Sequence, residues 1–413
     1  MKQKIQEFIK TSYPFLFGLL FFLTPFDDYV RALPNILLVV IAIGFFLIAE
    51  KRDFKKLKNP IFILFSCFLI YLLCNSLITG HWNENLKVTE KLLLSLALII
   101  LAIPIKDFRV VLKAVILSSV FVIIFSLYRI SLLIAKTGVF EFGNSQNAID
   151  ALIIDRLYVG LICILGVLFS YLILKTKSFR KKSFYWFTFV INFLFVFFIA
   201  SRIAILILII LIFLKQLYRP KFLKRLLIVF ISVSAFLAIA FLLNDNLGKR
   251  FFYNTDYNAH QNLVQKTLAW EPRTVIWSCS GNLMSNKQIT ISGMGFSKIR
   301  EELINCYDKE IVNPERRLWF LQEKYNTHNQ YIDFYLGIGV AGALLFISMF
   351  ILSLVQYKKQ FFPTAFITTL FLFGVIESYF YRQMGSYYFG LILILILFEN
   401  FNLQVEKNSK KNE

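Results

Sequence analysis

The stretch FYWFTFVINFLFVFFIASRIAILILIILIFL, residues 184–214, decides the class of fold, because Arg202 is its only charged residue. An apolar run of about 20 residues is long enough to cross a lipid bilayer as a helix. Similar runs recur along the chain, which is 58% hydrophobic and 17% charged and has a mean hydropathy of +0.65. Soluble domains contain about 25% charged residues. The sequence therefore predicts an all-α polytopic membrane protein.

Twelve membrane spans are predicted from the apolar runs, and the distribution of basic residues predicts their orientation. The spans comprise residues 11–26, 34–49, 60–79, 91–104, 110–134, 157–174, 184–200, 203–214, 226–243, 328–356, 361–381 and 384–402. If the N-terminus is inside, most of the 45 Lys and Arg residues fall in cytoplasmic segments, as the positive-inside rule requires. Both termini are therefore expected in the cytoplasm. The formal charge of +20 then reflects membrane topology and does not indicate a nucleic-acid-binding surface.

One long polar loop interrupts the spans. Residues 244–327 separate a first membrane domain, residues 1–243 with spans 1–9, from a second, residues 328–413 with spans 10–12 and a cytoplasmic tail. The loop is expected on the outer side of the membrane, where it would fold over the ends of the spans. Residues 135–156 form a second, shorter outer segment that could serve as a lid.

The long loop contains a helical pattern and two cysteines. Phe296, Ile299, Leu303 and Cys306 recur at the spacing of one helix face. Cys279 lies in the same loop, and an oxidising compartment outside the membrane would permit a bridge between the two thiols. Two free thiols are the alternative. Neither cysteine has metal-ligand spacing with the three histidines of the chain, so no metal site is predicted.

Five residues on the predicted outer side have side chains that could bind an anion or accept a proton. They are Arg156, Arg202, Arg273, His328 and Arg382. Arg202 joins two apolar runs in ASRIA, so its guanidinium would lie at the depth of a lipid head group and could bind phosphate oxygens in pairs. The alternative is an arginine that only extends towards the head groups.

His328 begins the first span after the long loop, at the boundary between water and membrane. A neutral histidine there could accept a proton from an attacking hydroxyl group. The alternative is a polar residue that simply ends the loop.

The other three arginines also have structural alternatives. Arg273 follows a Glu-Pro pair that is typical of a helix start, and the free backbone N–H groups of such a start would add to an anion site. A solvated loop arginine is the alternative. Arg156 and Arg382 have acidic neighbours in Asp155 and Glu377, so a structural ion pair is the alternative for each of them.

Four short motifs in this half of the chain resemble the O-antigen ligase superfamily, which includes lipopolysaccharide ligases, repeat-unit polymerases and some O-linked oligosaccharyltransferases. The motifs are SRIA around Arg202, RTVIW beginning at Arg273, the following SGMGF, and HNQYIDFYLGIGVAG beginning at His328. They occur in the order typical of the family, and the resemblance covers most of residues 140–400. One position departs from the family pattern, because Ile203 follows Arg202 where a small residue is common.

The resemblance implies a metal-independent, inverting glycosyltransferase without a cofactor in the inner membrane of a Gram-negative cell. Its donor would be a glycan linked to undecaprenyl diphosphate, and its acceptor would be lipid A–core or another glycan. The resemblance assigns Arg202 and Arg273 to diphosphate binding and His328 to the role of general base. Arg156 matches the family only loosely, and Arg382 is a candidate from the predicted topology alone.

Two other functions remain as alternatives. A polymerase would use the same donor but take another lipid-linked glycan as its acceptor; the single large loop favours the ligase. An exporter or flippase of the same glycan should carry ionisable residues near the middle of its spans and show two related halves. The central parts of the predicted spans are nearly free of charge, which favours an enzyme over a transporter.

Overall fold

The computed structural model of the protein describes residues 2–138, 151–176, 182–243, 271–285 and 287–398. Within these ranges the chain is helical, and no β-strand occurs. Parts of four predicted features lie outside the described residues, namely the loop start 244–270, the lid segment 139–150, the cytoplasmic turn 177–181 and the C-terminal residues 399–413.

The helices are numbered here in chain order. They are α1 (Lys2–Leu23), α2 (Leu33–Ile48), α3 (Pro60–Ile78), α4 (Trp82–Leu101), α5 (Arg109–Thr137), α6 (Arg156–Thr176), α7 (Lys182–Phe198), α8 (Arg202–Leu217), α9 (Phe222–Leu243), α10 (Pro272–Met284), α11 (Lys287–Ser292), α12 (Phe296–Glu310), α13 (Pro314–Glu323), α14 (Gln330–Tyr357), α15 (Phe361–Ile376) and α16 (Gln383–Phe398). Short helical turns cover Thr24–Phe26, Asp27–Val30, Asp53–Lys58 and Tyr379–Tyr381.

The prediction of a helical membrane protein is confirmed, and each predicted span overlaps one helix. Helices long and apolar enough to cross a membrane cover Gln6–Val30, Pro60–Ile78, Arg109–Thr137, Arg156–Lys175, Phe222–Leu243 and Gln330–Tyr357. Shorter apolar helices cover Leu33–Ile48, Lys182–Phe198, Phe361–Ile376 and Gln383–Phe398.

Several helix limits differ from the predicted spans; α1, for example, begins at Lys2 and not at residue 11. Helix α4 begins at Trp82, before the predicted residue 91, because its polar first turns continue a buried stripe that includes Val88. Helix α15 ends at Ile376 instead of continuing to 381, because Glu377 adopts an extended backbone conformation. Glu377 therefore lies outside the helix, in a turn that faces the polar loop.

Aromatic rings pack α14, α16 and the turn between α15 and α16 against one another. The rings of Phe334 and Phe346 in α14 have centroids 4.6 Å apart, and those of Phe380 and Phe389 are 4.9 Å apart. Phe334 also contacts Phe380 at 5.9 Å. Buried aromatic pairs of this kind add about 1 kcal/mol each beyond the area they bury. This packing holds the turn after α15 against the first turns of α14.

Helix α14 is interrupted within the bundle. Ile338 and Gly339 have backbone angles outside the helical region, so the regular hydrogen-bond ladder is broken there. Such a break leaves carbonyl groups that need other donors when they are buried. The hydroxyl group of Tyr71 in α3 donates a hydrogen bond of 3.0 Å to the carbonyl oxygen of Ile338.

The loop motif SGMGF, residues 292–296, supplies the other donors for this break. The backbone N–H of Met294 donates to the carbonyl of Leu336 at 2.8 Å, and that of Gly295 donates to the carbonyl of Gly337 at 3.0 Å. The polar loop is therefore attached to the membrane helix that follows His328 through its own backbone.

Gly293→Ala is expected to destabilise the protein by about 2–3 kcal/mol, because the position has a positive φ and no space for a side chain. Its φ is +75°, and a Cβ atom there would lie 2.2 Å from the carbonyl oxygen of Gly337. Thermal unfolding in detergent micelles measures the effect. Gly281→Ala is the control, since nothing lies within 4 Å of its Cβ position, and equal melting temperatures for the two variants would contradict the prediction.

Helices α10 and α12 are joined by a disulfide bond between Cys279 and Cys306, whose Cα atoms lie 5.9 Å apart. The hypothesis that these two cysteines approach each other is confirmed. The predicted apolar face of α12 is confirmed as well, since Phe296, Ile299 and Leu303 are all buried.

Unreduced, denatured protein is expected to show three alkylatable cysteines in mass spectrometry, namely Cys67, Cys74 and Cys163. Reduction of the Cys279–Cys306 bond should lower the free energy of unfolding by about 3 kcal/mol, because the bond closes a loop with a sequence separation of 27. Five alkylated cysteines in unreduced protein would show that the bond does not form.

Candidate functional site

His328 and Glu377 form a hydrogen-bonded pair at one end of the helix bundle. The Nδ1 atom of His328 lies 3.0 Å from Oε2 of Glu377. His328 lies two residues before α14 in a left-handed backbone conformation with φ of 43°, and its N–H donates to Oδ1 of Asn326 at 3.0 Å. The His328 side chain keeps 22% of its surface exposed, whereas the Glu377 side chain keeps 6%. The histidine is thus open to a ligand while its partner carboxylate is enclosed.

The ionisation of Glu377 determines which nitrogen of His328 carries the proton. Burial raises the pKa of Glu377, but the hydrogen bond from His328 lowers it. The positive charges of His328, Arg382 and Arg273 lower it further, and the net result is a pKa below the ordinary value for a glutamate. An ionised carboxylate can only accept hydrogen bonds, so Nδ1 of His328 is the donor. In the neutral imidazole the lone pair is then on Nε2.

Arg202 and Arg273 converge on a single carboxylate, that of Glu271. The Nη2 atom of Arg202 pairs with Oε2 of Glu271, and the Nη1 atom of Arg273 pairs with Oε1 at 2.6 Å. Arg202 is the first residue of α8, which follows Ala200 in a left-handed conformation with φ of 50°. Two arginines that are far apart in the chain therefore bind the same carboxylate, and we call the position of this carboxylate between them the anion position.

Helix α10 connects this arginine pair to the histidine. The Nη2 atom of Arg273 donates to the carbonyl of Ile376, the residue before Glu377, at 3.4 Å. The indole Nε1 of Trp277 donates to the carbonyl of Thr327, the residue before His328, at 3.1 Å. Through these two bonds the anion position and the histidine belong to one site.

A buried polar network lies beneath the site. The Thr327 hydroxyl lies 3.1 Å from both Oδ1 of Asp333 and the hydroxyl of Ser378. The hydroxyl of Tyr381 donates to the same Asp333 oxygen at 3.2 Å. Thr327 precedes His328 and Ser378 follows Glu377, so the network holds the backbone on both sides of the histidine pair.

Arg382 lies at the edge of the site and pairs with Asp155. Its Nη2 atom is 3.3 Å from Oδ2 of Asp155, and its guanidinium lies 5.5 Å from the ring centre of Tyr158. The alternative of a structural ion pair for Arg382 is borne out, but the partner is Asp155 and not Glu377, whose Oε2 lies 3.0 Å from Nδ1 of His328. Sequence proximity suggested Glu377, whereas the fold brings residue 155 to Arg382 from another helix end.

Arg156 is the first residue of α6, next to the Asp155 that Arg382 binds. Its side chain is buried, with a relative exposure of 6%. The described structure therefore places Arg202, Arg273 and His328 in the site as partly exposed groups and Arg382 beside it as an exposed one, and it encloses Arg156.

Two residues of the site were not predicted from the sequence. These residues are Glu271 and Asp333. The Glu-Pro pair predicts only a helix start, although an acidic residue two positions from a candidate anion-binding arginine is an available ion-pair partner. Asp333 lies in the first turn of an apolar span, where an acidic residue is rare in membrane helices. This rarity is the feature of the sequence that indicates a functional role for Asp333.

The fold and its polar end define a helical membrane protein with a histidine and an arginine pair at one end of the bundle. Residues 187–347 match the model of the O-Antigen ligase family, and this range includes Arg202, Arg273 and His328. The resemblance to the O-antigen ligase superfamily is thereby confirmed. A match to this family model implies O-antigen ligase or polymerase-type activity. No curated protein shows significant similarity to the chain.

Proposed function

We propose that this protein transfers a glycan from undecaprenyl diphosphate to an acceptor hydroxyl, and that it acts as an O-antigen ligase on lipid A–core. The observation that carries the proposal is the convergence of Arg202 and Arg273 on one anion position beside His328. A sugar diphosphate already contains a good leaving group. The protein has to hold the diphosphate, deprotonate the acceptor and orient the two for reaction.

The arginine pair would hold the diphosphate. Each guanidinium has five N–H donors in a plane, and two arginines can bind oxygens of both phosphates at once. As the bond between the sugar and the diphosphate breaks, its electron pair stays on the diphosphate oxygen. The guanidinium groups of Arg202 and Arg273 would stabilise the charge that grows there. A divalent cation can stabilise charge of this kind as well, and the arginine pair supports a reaction that does not need one.

His328 would act as the general base. Its Nε2 atom carries the lone pair when Nδ1 donates to Glu377, so Nε2 can take the proton of the acceptor hydroxyl. Glu377 would orient the ring and stabilise the imidazolium that forms, as the carboxylate of a catalytic triad does. The acceptor oxygen attacks the anomeric carbon from the side opposite the diphosphate, so the configuration at that carbon inverts.

We also propose the arrangement of the chain in a Gram-negative inner membrane. It has twelve spans, cytoplasmic termini, membrane domains at residues 1–243 and 328–413, and a periplasmic loop at 244–327 between spans 9 and 10. Basic residues at the other ends of the helices that begin at the site support this orientation. Lys175 in the last turn of α6 and Lys215 in the last turn of α8 lie at the end of the bundle away from the arginines.

Cysteine-accessibility labelling in intact cells tests the topology. In a variant without its free cysteines, Ser183→Cys is expected to resist a membrane-impermeant thiol reagent, because residues 176–183 should face the cytoplasm. Val312→Cys is the outer reference, since Val312 is 91% exposed in the loop, and it should react. Labelling of Ser183→Cys from outside would exclude the proposed orientation.

The function itself is tested by glycan transfer with purified protein and a defined undecaprenyl-diphosphate-linked donor, in the presence of EDTA. Lipid A–core and a second lipid-linked glycan are offered as acceptors in parallel. Transfer to lipid A–core that persists with EDTA supports the ligase. Elongation of the lipid-linked glycan alone would identify a polymerase, and transfer that EDTA abolishes would contradict the metal-independent mechanism.

A further inference from the structure

Glu271 occupies the position that the two arginines define. Its two carboxylate oxygens take one guanidinium each, Oε2 that of Arg202 and Oε1 that of Arg273. The three side chains are largely enclosed, with exposures of 15%, 28% and 21% for Glu271, Arg202 and Arg273. Guanidinium groups in such an environment need a neutralising anion, and in the protein without a donor this anion is part of the chain.

The placement of Glu271 follows from the arginines and not from its own helix. Glu271 is the N-cap residue of α10, but its side chain makes no capping hydrogen bond. It reaches Arg202 instead, 69 residues earlier in the chain. The ordinary partners of an N-cap side chain are few here, because Pro272 has no N–H and the N–H of Thr274 donates to the carbonyl of Glu271 at 3.1 Å.

A diphosphate and the Glu271 carboxylate require the same N–H groups and carry the same sign of charge. Both cannot occupy one position between Arg202 and Arg273. When two states compete in this way, the apparent affinity for the ligand falls by the fraction of protein in the competent state.

We propose that Glu271 is an internal competitor for the diphosphate position, which the donor displaces and which returns to expel the diphosphate product. The inference rests on the proposed function, since it takes Arg202 and Arg273 as the diphosphate ligands. Tight binding of donor and product alike does not raise the rate of turnover. A carboxylate that weakens the binding of donor and product lets undecaprenyl diphosphate leave after each transfer. Glu271 is thus a positioning residue that sets affinity and release.

The test is the binding of inorganic pyrophosphate to the full-length protein in detergent, measured by isothermal titration calorimetry. Glu271→Gln removes the competing charge and is expected to bind pyrophosphate at least about tenfold more tightly than the wild type. Glu271→Asp keeps the charge on an arm one methylene shorter, so its affinity should lie between the two. Glu310→Gln removes an exposed charge from the end of α12 and should leave the affinity unchanged.

Turnover gives a second readout. With donor and acceptor in excess, Glu271→Gln should release one equivalent of product in a burst and then slow down, because product leaves more slowly. A purely structural role for Glu271 predicts the reverse, namely weaker pyrophosphate binding and no burst. Unchanged or weaker pyrophosphate binding in folded Glu271→Gln and Glu271→Asp would overturn the inference.

Failure of the proposed function gives a different pattern. If the arginines do not bind the diphosphate, pyrophosphate affinity will be the same in wild type and Arg202→Lys, and the Glu271 variants will not change it. If only the competitor role is wrong, Arg202→Lys will still weaken binding while the Glu271 variants fail to tighten it.

Discussion

In the His328→Ala variant, glycan transfer is expected to fall by about 10²-fold or more, the usual scale for loss of a general base. Donor binding should remain close to that of the wild type, because the arginines that hold the diphosphate are intact. Single-turnover transfer with a defined donor measures the chemical step, and calorimetric titration with the donor measures binding. The two quantities should separate in this variant.

Glu377→Gln is the informative companion to His328→Ala. The amide can hold the ring in place, but it does not stabilise the imidazolium and can favour the wrong tautomer, so transfer should also fall. His81→Ala changes the N-cap histidine of α4, which is not among the partners of His328, Arg202 or Arg273 described above, and should leave transfer unchanged. Well-folded His328→Ala protein with wild-type rates would remove the base assignment and direct attention to Glu377 or Asp155 as the base.

Arg202→Lys is expected to weaken both donor binding and transfer, even though the positive charge is kept. A lysine offers a point charge where the guanidinium offers a planar pair of donors to phosphate oxygens. The loss of a charged hydrogen bond corresponds to about 10- to 100-fold in affinity. Titration with the donor and initial rates of transfer measure the two effects.

Arg317→Lys provides the matched control for this substitution. Arg317 is a half-exposed loop arginine whose ion pair with Asp308 is 3.9 Å long, so the same chemical change there should have no effect on transfer. A folded Arg202→Lys variant with unchanged donor affinity would mean that Arg202 serves only as the ion-pair partner of Glu271.

The class of fold could be predicted from the sequence because hydropathy and helix length are local properties. The limits of the helices were less predictable. The polar start of α4 at Trp82 and the early end of α15 at Ile376 depend on which faces are buried in the bundle. The break in α14 at Gly339 depends on a loop segment that supplies hydrogen-bond donors. No local sequence pattern in α14 indicates which segment this is.

Residues of the candidate site could be predicted where the residue type and the predicted position relative to the membrane were enough to identify them. Arg202 could be identified because it lies between two apolar runs with almost no loop, and His328 because it is a titratable group at the predicted membrane boundary. Their partners were not predictable, because Glu271 and Glu377 reach them only after distant helices have packed together. The same reason accounts for the incorrect partner suggested for Arg382.

The attachment of SGMGF to the break in α14 limits how parts of this protein can be exchanged. The joining bonds run between backbone groups at Met294 and Leu336 and at Gly295 and Gly337, so they require the same chain length in both segments. A single residue inserted on either side would shift the register of both bonds. A chimera that imports the outer loop from another protein must therefore import the matching turns of the membrane helix as well.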